Sequence, residues 1–346
     1  MKFGNAKIGF FKKLSLQAIA CAAALALAVP ALPGRRQSQG QQSQSQGQQA
    51  QGQTPTIKAE VNLVNVFATV RDKNKRIVTD MKQDNFKIFE DNHEESIAFF
   101  SKEMNLPITL GLLLDTSGSE ENMLGAIQDA GSSFLRRVLR KGDEALVISF
   151  DTDVDLLADL TDDHSVLSRA INKARINTGG GGYIAGNPGP IGGMGGGGTN
   201  LYDAIYLACS DKLNGEAGRK AIVIATDAED TGSKVKLEEA IEAAQRTDTV
   251  IHVLLVYDPR YGGNTSVAHK LTDETGGRMI VVNSEKKLQE AFDQISEELR
   301  SQYTLGYYPS NSTKDGKFRK IRLEVDNHDY KVLARKGYYA PRAPRG

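Results

Sequence analysis

The chain has 346 residues, of which 40% are hydrophobic and 25% are charged, so it is long enough for two ordinary domains with a sizeable core. Lysine plus arginine balance aspartate plus glutamate at 43 each. This balance excludes the strongly basic classes of protein that bind nucleic acid or anionic membrane surfaces.

The N-terminal residues 1–31 have the pattern of a secretory signal peptide. The stretch "MKFGNAKIGFFKK" is basic, and the apolar "LSLQAIACAAALALAVPA" ends in small residues, which predicts cleavage near Ala31. We therefore expect a secreted or periplasmic protein with no stable membrane span after cleavage. An uncleaved anchor, or a lipoprotein modified at Cys21, is the alternative. Cleavage leaves Cys209 as the only cysteine, so no intrachain disulfide is expected, and its helical spacing predicts a buried structural thiol.

Two segments of different composition follow the predicted signal peptide. Residues 32–54 are rich in Gln, Ser and Gly and have nothing to bury, which predicts a disordered linker. Residues 55–105 then alternate apolar and polar positions, as at Val64 and Val66, with turn signals at "DKNK" and "EDNHE". This predicts about four strands in a small antiparallel β unit that needs another sheet to cover its apolar face.

Residues 106–300 alternate apolar runs with amphipathic ones. Strand candidates such as "ITLGLLLD", "KAIVIATD" and "TVIHVLLVYD" are separated by helix candidates such as "KLEEAIEAAQRTD". This order predicts an α/β fold with a doubly wound, mostly parallel, Rossmann-like sheet and helices on both faces.

The tail, residues 301–346, returns to β character. We expect "KDGK" to form a hairpin turn between "YTLGYYPS" and "FRKIRLEV". These strands are expected to pack with the N-terminal β unit. The α/β domain would then be inserted in a small all-β domain, a β-sandwich built from both chain ends.

Three segments place oxygen-bearing side chains at the end of an apolar strand or at the start of a helix. They are "LLLDTSGSE", "GGGGTNLYDAI" and "AIVIATDAED", which supply Asp115, Ser117, Ser119, Thr199 and Asp227. In a doubly wound sheet, ligands bind at the carboxyl ends of the central strands where the strand order reverses. An all-oxygen set without His or Cys suits one ion of Mg²⁺, Mn²⁺ or Ca²⁺ and disfavours zinc.

The pattern D-x-S-x-S with a later Thr and a later Asp resembles the metal-ion-dependent adhesion site (MIDAS) of von Willebrand factor type A (VWFA or VWA) domains. The resemblance covers residues 106–300, and the flanks are similar to exported VWFA-related proteins of acidobacteria. It implies one divalent ion, usually Mg²⁺, and an Asp or Glu of a partner that completes the shell. It also implies direct ligation by Ser117, Ser119 and Thr199, with Asp115 and Asp227 acting directly or through water.

The sequence departs from this pattern in two places. Glu120 and Glu121 follow the serines, and Glu229 and Asp230 follow the later aspartate; this charge should tighten cation binding and weaken capture of an acidic partner. Residues 179–198 contain 12 glycines and form either a mobile loop beside the metal or, as we favour, a low-complexity insertion.

Other motifs are weaker. The glycine tract lacks the G-K-[ST] of a phosphate loop. "DTDVDLLADLTD", residues 151–162, resembles a calcium loop but has Leu156 where the turn glycine is needed, which favours two strands joined by an acidic turn. The histidines show no metal-ligand spacing, and His252 lies within a predicted strand.

These observations favour a non-enzymatic, exported module for cell adhesion or other protein–protein interaction, which engages an acidic group of an unknown protein or surface ligand through a bound metal. A metal-dependent hydrolase using the same site is one alternative, although no poised general base is evident. A scaffold with a purely structural metal is the other. The sequence contains no motif that identifies the partner or the oligomeric state.

Overall fold

The computed structural model describes residues 63–102, 106–177, 198–256 and 262–343. The predicted signal peptide, the predicted linker and residues 179–197 of the glycine-rich segment lie outside these ranges. All described residues belong to one compact unit, residues 59–346. Among the helices of the described ranges, none has the length and apolarity needed to cross a membrane.

Strands and helices alternate through the middle of the described chain. The strands are β1 (Val64–Arg71), β2 (Phe86–Glu90), β3 (His93–Glu95), β4 (Ile97–Ser101), β5 (Ile108–Asp115), β6 (Glu144–Phe150), β7 (Val154–Thr161), β8 (Arg219–Thr226), β9 (Thr249–Val256), β10 (Met279–Val282), β11 (Tyr303–Tyr307), β12 (Phe318–Val325), β13 (Lys331–Ala334) and β14 (Gly337–Tyr339). The helices are α1 (Leu124–Val138), α2 (His164–Ile171), α3 (Leu201–Leu207), α4 (Leu237–Arg246), α5 (Thr265–Thr275) and α6 (Glu285–Leu299). A π-helical turn, Ala208–Leu213, extends α3, and a 3-10 turn, Gly118–Glu120, follows β5.

The central sheet has the strand order β10-β9-β8-β5-β6-β7. All neighbours are parallel except β7, which runs antiparallel to β6. Helices α1, α2 and α6 cover one face, and α3, α4 and α5 cover the other. Because both faces are covered, β5 and β9 are buried along their whole length, which explains their continuous apolar sequences. The predicted α/β fold class is confirmed.

The acidic turn at residues 151–153 joins β6 to β7, which pair as antiparallel neighbours. The prediction of two strands in place of a calcium loop is therefore confirmed.

Strands from both ends of the chain form two four-stranded antiparallel sheets. Their orders are β13-β1-β11-β4 and β14-β12-β2-β3, so that β1 pairs with β11 and β2 pairs with β12. The sheets share one apolar core that includes Val66, Ile88, Leu305 and Ile321. In each of these two pairs, one strand comes from the N-terminal part of the chain and the other from the C-terminal part. Each strand therefore needs a partner from the other chain end to form its ladder hydrogen bonds.

The predicted hairpin at "KDGK" is wrong. Strand β11 pairs with β1 and β4, whereas β12 pairs with β2 and β14, so the two strands lie in different sheets. Both edges of β11 are already occupied, and the chain must cross to the other sheet before β12 begins. Gly316, at φ 72°, allows a local turn, but a turn signal does not specify which strand its flanks will join.

Candidate metal site

The ends of β5 and β8 lie side by side at the point where the strand order reverses. Asp115 is the last residue of β5, and Asp227 directly follows β8. The two strands are in parallel register, with Leu114 opposite Ala225, so their carboxyl ends reach the same edge of the sheet. From β5 the chain continues to β6 on one side, and β8 lies on the other side. This is the crevice in which doubly wound proteins bind ligands.

Asp115 is fully buried beneath this edge. Its Oδ1 accepts a hydrogen bond from the backbone N–H of Ser117 at 2.9 Å, and its Oδ2 accepts one from the hydroxyl of Thr226 at 2.6 Å. Burial raises the pKa of Asp115 to about 7, the hydrogen bonds from Ser117 and Thr226 oppose that rise, and the nearby charge of Asp227 adds to it. A bound cation would favour the ionised carboxylate that burial disfavours.

Ser117 and Ser119 are brought together by the 3-10 turn that follows β5. Ser117 adopts an extended conformation immediately before the turn, and the Oγ atoms of the two serines are 3.0 Å apart. Ser117 is buried, and Ser119 is half-buried. The two hydroxyls therefore form a compact pair of neutral oxygen donors beside Asp115.

Asp227 is held at a sharp reversal of the backbone. The next residue, Ala228, is buried and has φ 61°, a left-handed conformation that is uncommon for a residue with a side chain. The N–H of Ala228 donates to the hydroxyl of Thr226 at 3.0 Å, and the N–H of Glu229 donates to Oδ1 of Asp227 at 3.0 Å. Non-glycine residues in this region persist where surrounding contacts enforce them, often at functional sites.

The backbone of Thr199 is hydrogen-bonded to the loop that follows Asp227. Its backbone N–H donates to the hydroxyl of Thr231, and its carbonyl accepts from the N–H groups of Thr231 and Gly232 at 3.1 and 3.2 Å. The residue is buried and lies just before α3, as predicted from the sequence.

Asp151, in the acidic turn between β6 and β7, is hydrogen-bonded to segments that carry the candidate ligands. The Asp151 carboxylate accepts hydrogen bonds from the Thr116 hydroxyl at 2.7 Å and from the Asn177 amide at 3.1 Å. Its carbonyl accepts from the N–H of Asn200 at 2.8 Å. Asp151 thus connects the loop after β5 to the segment that carries Thr199.

Two residues of the site were missed or misjudged from the sequence. The sequence prediction does not include Thr226, although its position at the end of β8, beside Asp227, is a signal for it. The sequence does not distinguish Glu120 from Glu121, but Glu120 is only 1% exposed whereas Glu121 is exposed. One carboxylate oxygen from each of Asp115, Glu120 and Asp227 lies within 4.8 Å of the others.

This set of donors fits a hard divalent cation. The carboxylates and the neighbouring hydroxyls supply only oxygen, which matches the preference of Mg²⁺, Mn²⁺ and Ca²⁺. Buried carboxylates at this separation repel each other when ionised, and a cation between them removes that cost.

Residues 110–230 match the family model described as the von Willebrand factor type A domain. The chain carries a von Willebrand factor type A domain. Every predicted ligand of the site lies within the matched part of this domain.

Three solved structures are similar to parts of the chain. The first is the conserved hypothetical protein BatB from Bacteroides thetaiotaomicron, at 18% identity and TM-score 0.43, covering 56% of this chain and 100% of that one. A VWA domain protein from Catenulispora acidiphila has 10% identity and TM-score 0.46, covering 83% and 76%. Proximal thread matrix protein 1 of the mussel byssus, described with a zinc-occupied MIDAS motif, has 15% identity and TM-score 0.47, covering 61% and 49%.

A comparison with curated proteins found no significant match.

Proposed function

We propose that the chain is an exported, divalent-cation-dependent binding module. One ion, Mg²⁺ or else Mn²⁺ or Ca²⁺, is held by the five oxygen-bearing residues at the sheet edge, which are Asp115, Ser117, Ser119, Thr199 and Asp227. Through this ion the module engages an Asp or Glu of a partner protein or another acidic surface ligand. When bound, the metal supplies a positive charge that attracts a carboxylate, and the chain's own residues position that charge at the surface.

The observation that carries the proposal is the convergence of Asp115 and Asp227 beside a pair of serine hydroxyls 3.0 Å apart, at the reversal point of the sheet. Two carboxylates balance the charge of a divalent ion. Neutral hydroxyls as further ligands leave the ion electrophilic, so that it favours an additional carboxylate.

Isothermal titration of the purified protein with Mg²⁺, Mn²⁺ and Ca²⁺ tests the metal site. Zn²⁺ is included because the mussel protein is described with zinc. We expect one saturable site that is lost in Asp115→Ala and Thr199→Ala but kept in Asp129→Asn, which removes a carboxylate charge from the exposed face of α1. Equal binding by Asp115→Ala and the wild type would refute the assignment.

Partner capture is the second part of the test. Capture of a partner should be abolished by EDTA and restored by Mg²⁺, and capture that persists in EDTA would argue for the scaffold alternative, in which the two antiparallel sheets make the contacts. That alternative also requires EDTA to lower the thermal unfolding midpoint strongly.

The hydrolase alternative uses the same site and predicts metal-dependent turnover of an ester or phosphate. We favour binding over catalysis because Asp115 is inaccessible and hydroxyls that ligate a cation are poor nucleophiles. Turnover that is lost in Asp115→Ala would reverse this choice.

Export is proposed from residues 1–31 alone. N-terminal sequencing of the mature protein would show a start near residue 32 if the signal peptide is cleaved, and an intact Met1 would contradict cleavage.

A further inference from the structure

Glu120 is a third carboxylate inside the candidate metal site. It ends the 3-10 turn Gly118–Glu120 and is 1% exposed. One of its carboxylate oxygens lies within 4.8 Å of oxygens from both Asp115 and Asp227. Within the described residues, these are the acidic side chains whose geometry is suited to sharing a metal ion.

The other nearby acids do not share this position. Glu121, the adjacent residue, is exposed to solvent. Asp230 accepts hydrogen bonds from the N–H of Tyr202 at 3.0 Å and from the hydroxyl of Ser233 at 2.6 Å, so it holds the start of α3. The structure therefore separates Glu120, which points into the site, from the acids that add only local negative charge.

The number of donors changes the expected behaviour of the site. If one oxygen from each of Asp115, Asp227, Ser117, Ser119 and Thr199 bound the ion directly, one position of an octahedral shell would stay open for an outside ligand. A carboxylate from Glu120 would fill that position from within the chain. It would also give the metal site a net negative charge, which disfavours the approach of a second acidic group.

We propose that Glu120 is a built-in ligand that occupies the coordination position otherwise open to a partner's carboxylate. The inference rests on the metal-dependent binding proposed above and specifies its regulation. With Glu120 bound, the site holds its metal tightly and is closed to external acids. A partner gains access to the metal only when its own carboxylate displaces Glu120, so the module selects partners whose other contacts compensate for that displacement.

The test measures the hydration of bound Mn²⁺ by water proton relaxation, in the full chain and in three variants. Glu120→Ala removes the proposed ligand, and Glu120→Gln keeps its size without the charge. Glu121→Gln is the matched control, because it makes the same substitution at the adjacent residue, which is exposed to solvent. Acetate serves as the probe for an external carboxylate.

We expect Glu120→Ala to weaken Mn²⁺ binding by about tenfold or more and to add one water molecule to the bound ion. Acetate should displace that water in Glu120→Ala and leave the hydration of the wild type and Glu121→Gln unchanged. Equal weakening by Glu120→Gln and Glu121→Gln would show an effect of charge alone and would overturn the proposal, as would identical hydration of the wild type and Glu120→Ala.

Thermal unfolding in EDTA keeps the test independent of folding defects. Without metal, Glu120→Gln replaces a buried carboxyl that lies beside those of Asp115 and Asp227 with a neutral amide of the same size, so its unfolding midpoint should be equal to or above that of the wild type. A failure of Glu120→Gln to fold would mean that Glu120 is a structural residue, against the proposal. If the wild type itself binds no Mn²⁺, the proposed function fails. If Mn²⁺ binding is lost in Asp115→Ala but unchanged in Glu120→Ala and Glu120→Gln, only this inference fails.

Discussion

At the scale of single residues, the candidate site depends on side chains that are not expected to touch the metal. Thr226 accepts a hydrogen bond from the N–H of Ala228 and donates one to Oδ2 of Asp115. It thereby couples the backbone reversal after β8 to the carboxylate at the end of β5.

Replacing Thr226 by valine keeps the shape of the side chain and removes the hydroxyl. Because hydrogen bonds to charged groups are worth about 1.5–3 kcal/mol, we expect the dissociation constant for Mg²⁺ to rise by about tenfold or more. Isothermal titration would measure this, with Thr69→Val, a buried threonine of β1, as the control. An unchanged affinity in Thr226→Val would show that Asp115 is positioned by the backbone alone.

His252 predicts a pH dependence of stability. It is fully buried in β9, and its ring nitrogens have no hydrogen-bond partner among the described residues. Burial lowers its pKa below the ordinary 6.5; the charge of Glu298 opposes this shift, and the charges of Arg278 and Arg71 add to it. Below about pH 6.5 the unfolded chain binds a proton that the folded chain resists, so the free energy of unfolding falls as the pH falls through this window.

Urea unfolding at about pH 7.5 and about pH 5.5 would test this. Relative to the wild type, His252→Gln should lose part of the acid-induced decrease, up to about 1.4 kcal/mol per pH unit. His269→Gln, which removes an exposed histidine, should keep the decrease. The same pH dependence in all three proteins would mean that other groups cause it.

At the scale of elements, the connection between α5 and β10 requires glycine. Helix α5 ends at Thr275 and is capped by Gly276, which has φ 84°. A Cβ on the next residue, Gly277, would lie 1.9 Å from the carbonyl oxygen of Ile251. This close approach lets β10 pair with β9 directly after the helix.

We expect Gly277→Ala to destabilise the protein by more than about 3 kcal/mol, because the obstacle is backbone of a central strand that cannot yield without breaking sheet pairing. Gly125→Ala is the contrasting variant, since Gly125 is exposed in α1 and a Cβ there meets nothing within 4 Å. It should stabilise the protein by about 0.5–1 kcal/mol through helix propensity. Thermal or urea unfolding of both variants measures the expected loss and gain of stability. A stable Gly277→Ala protein would show that the connection between α5 and β10 can shift.

At the scale of the whole molecule, a buried ion pair links the antiparallel sheets to the α/β layers. Arg71 of β1 donates to the Glu298 carboxylate of α6 at 3.2 Å, and Arg278 lies 3.9 Å from the other carboxylate oxygen. The Glu298 side chain is 1% exposed. Removing one partner of such a pair leaves a buried charge poorly compensated.

Arg71→Met should therefore cost about 3–5 kcal/mol of unfolding free energy, with part recovered in the double variant Arg71→Met, Glu298→Met. Arg76→Met, which breaks a solvent-exposed pair with Asp72, should leave the unfolding midpoint nearly unchanged. Urea unfolding of the four proteins checks this, and equal effects of the Arg71 and Arg76 substitutions would contradict a role for burial.

The sequence by itself determined the fold class and predicted the sheet edge at which the candidate site lies. Continuous apolar strands such as "ITLGLLLD" can be stable only in a sheet covered on both faces, and the alternation with amphipathic helices then requires mostly parallel strands. Because parallel strands end at one edge, residues at the ends of β5 and β8 could be expected to meet there. These inferences depend on local periodicity and on chain order, which a sequence contains directly.

The tertiary structure alone decided which partners each segment found. The turn at "KDGK" specified a bend, but whether β12 joined β11 or crossed to β2 depended on which sheet edges were free. In the same way, Glu120 and Glu121 are chemically equal in the sequence. The direction of one 3-10 turn buries the first beside Asp115 and leaves the second in solvent. Strand pairing and side-chain burial are long-range properties, because they are fixed by what the rest of the folded chain places nearby.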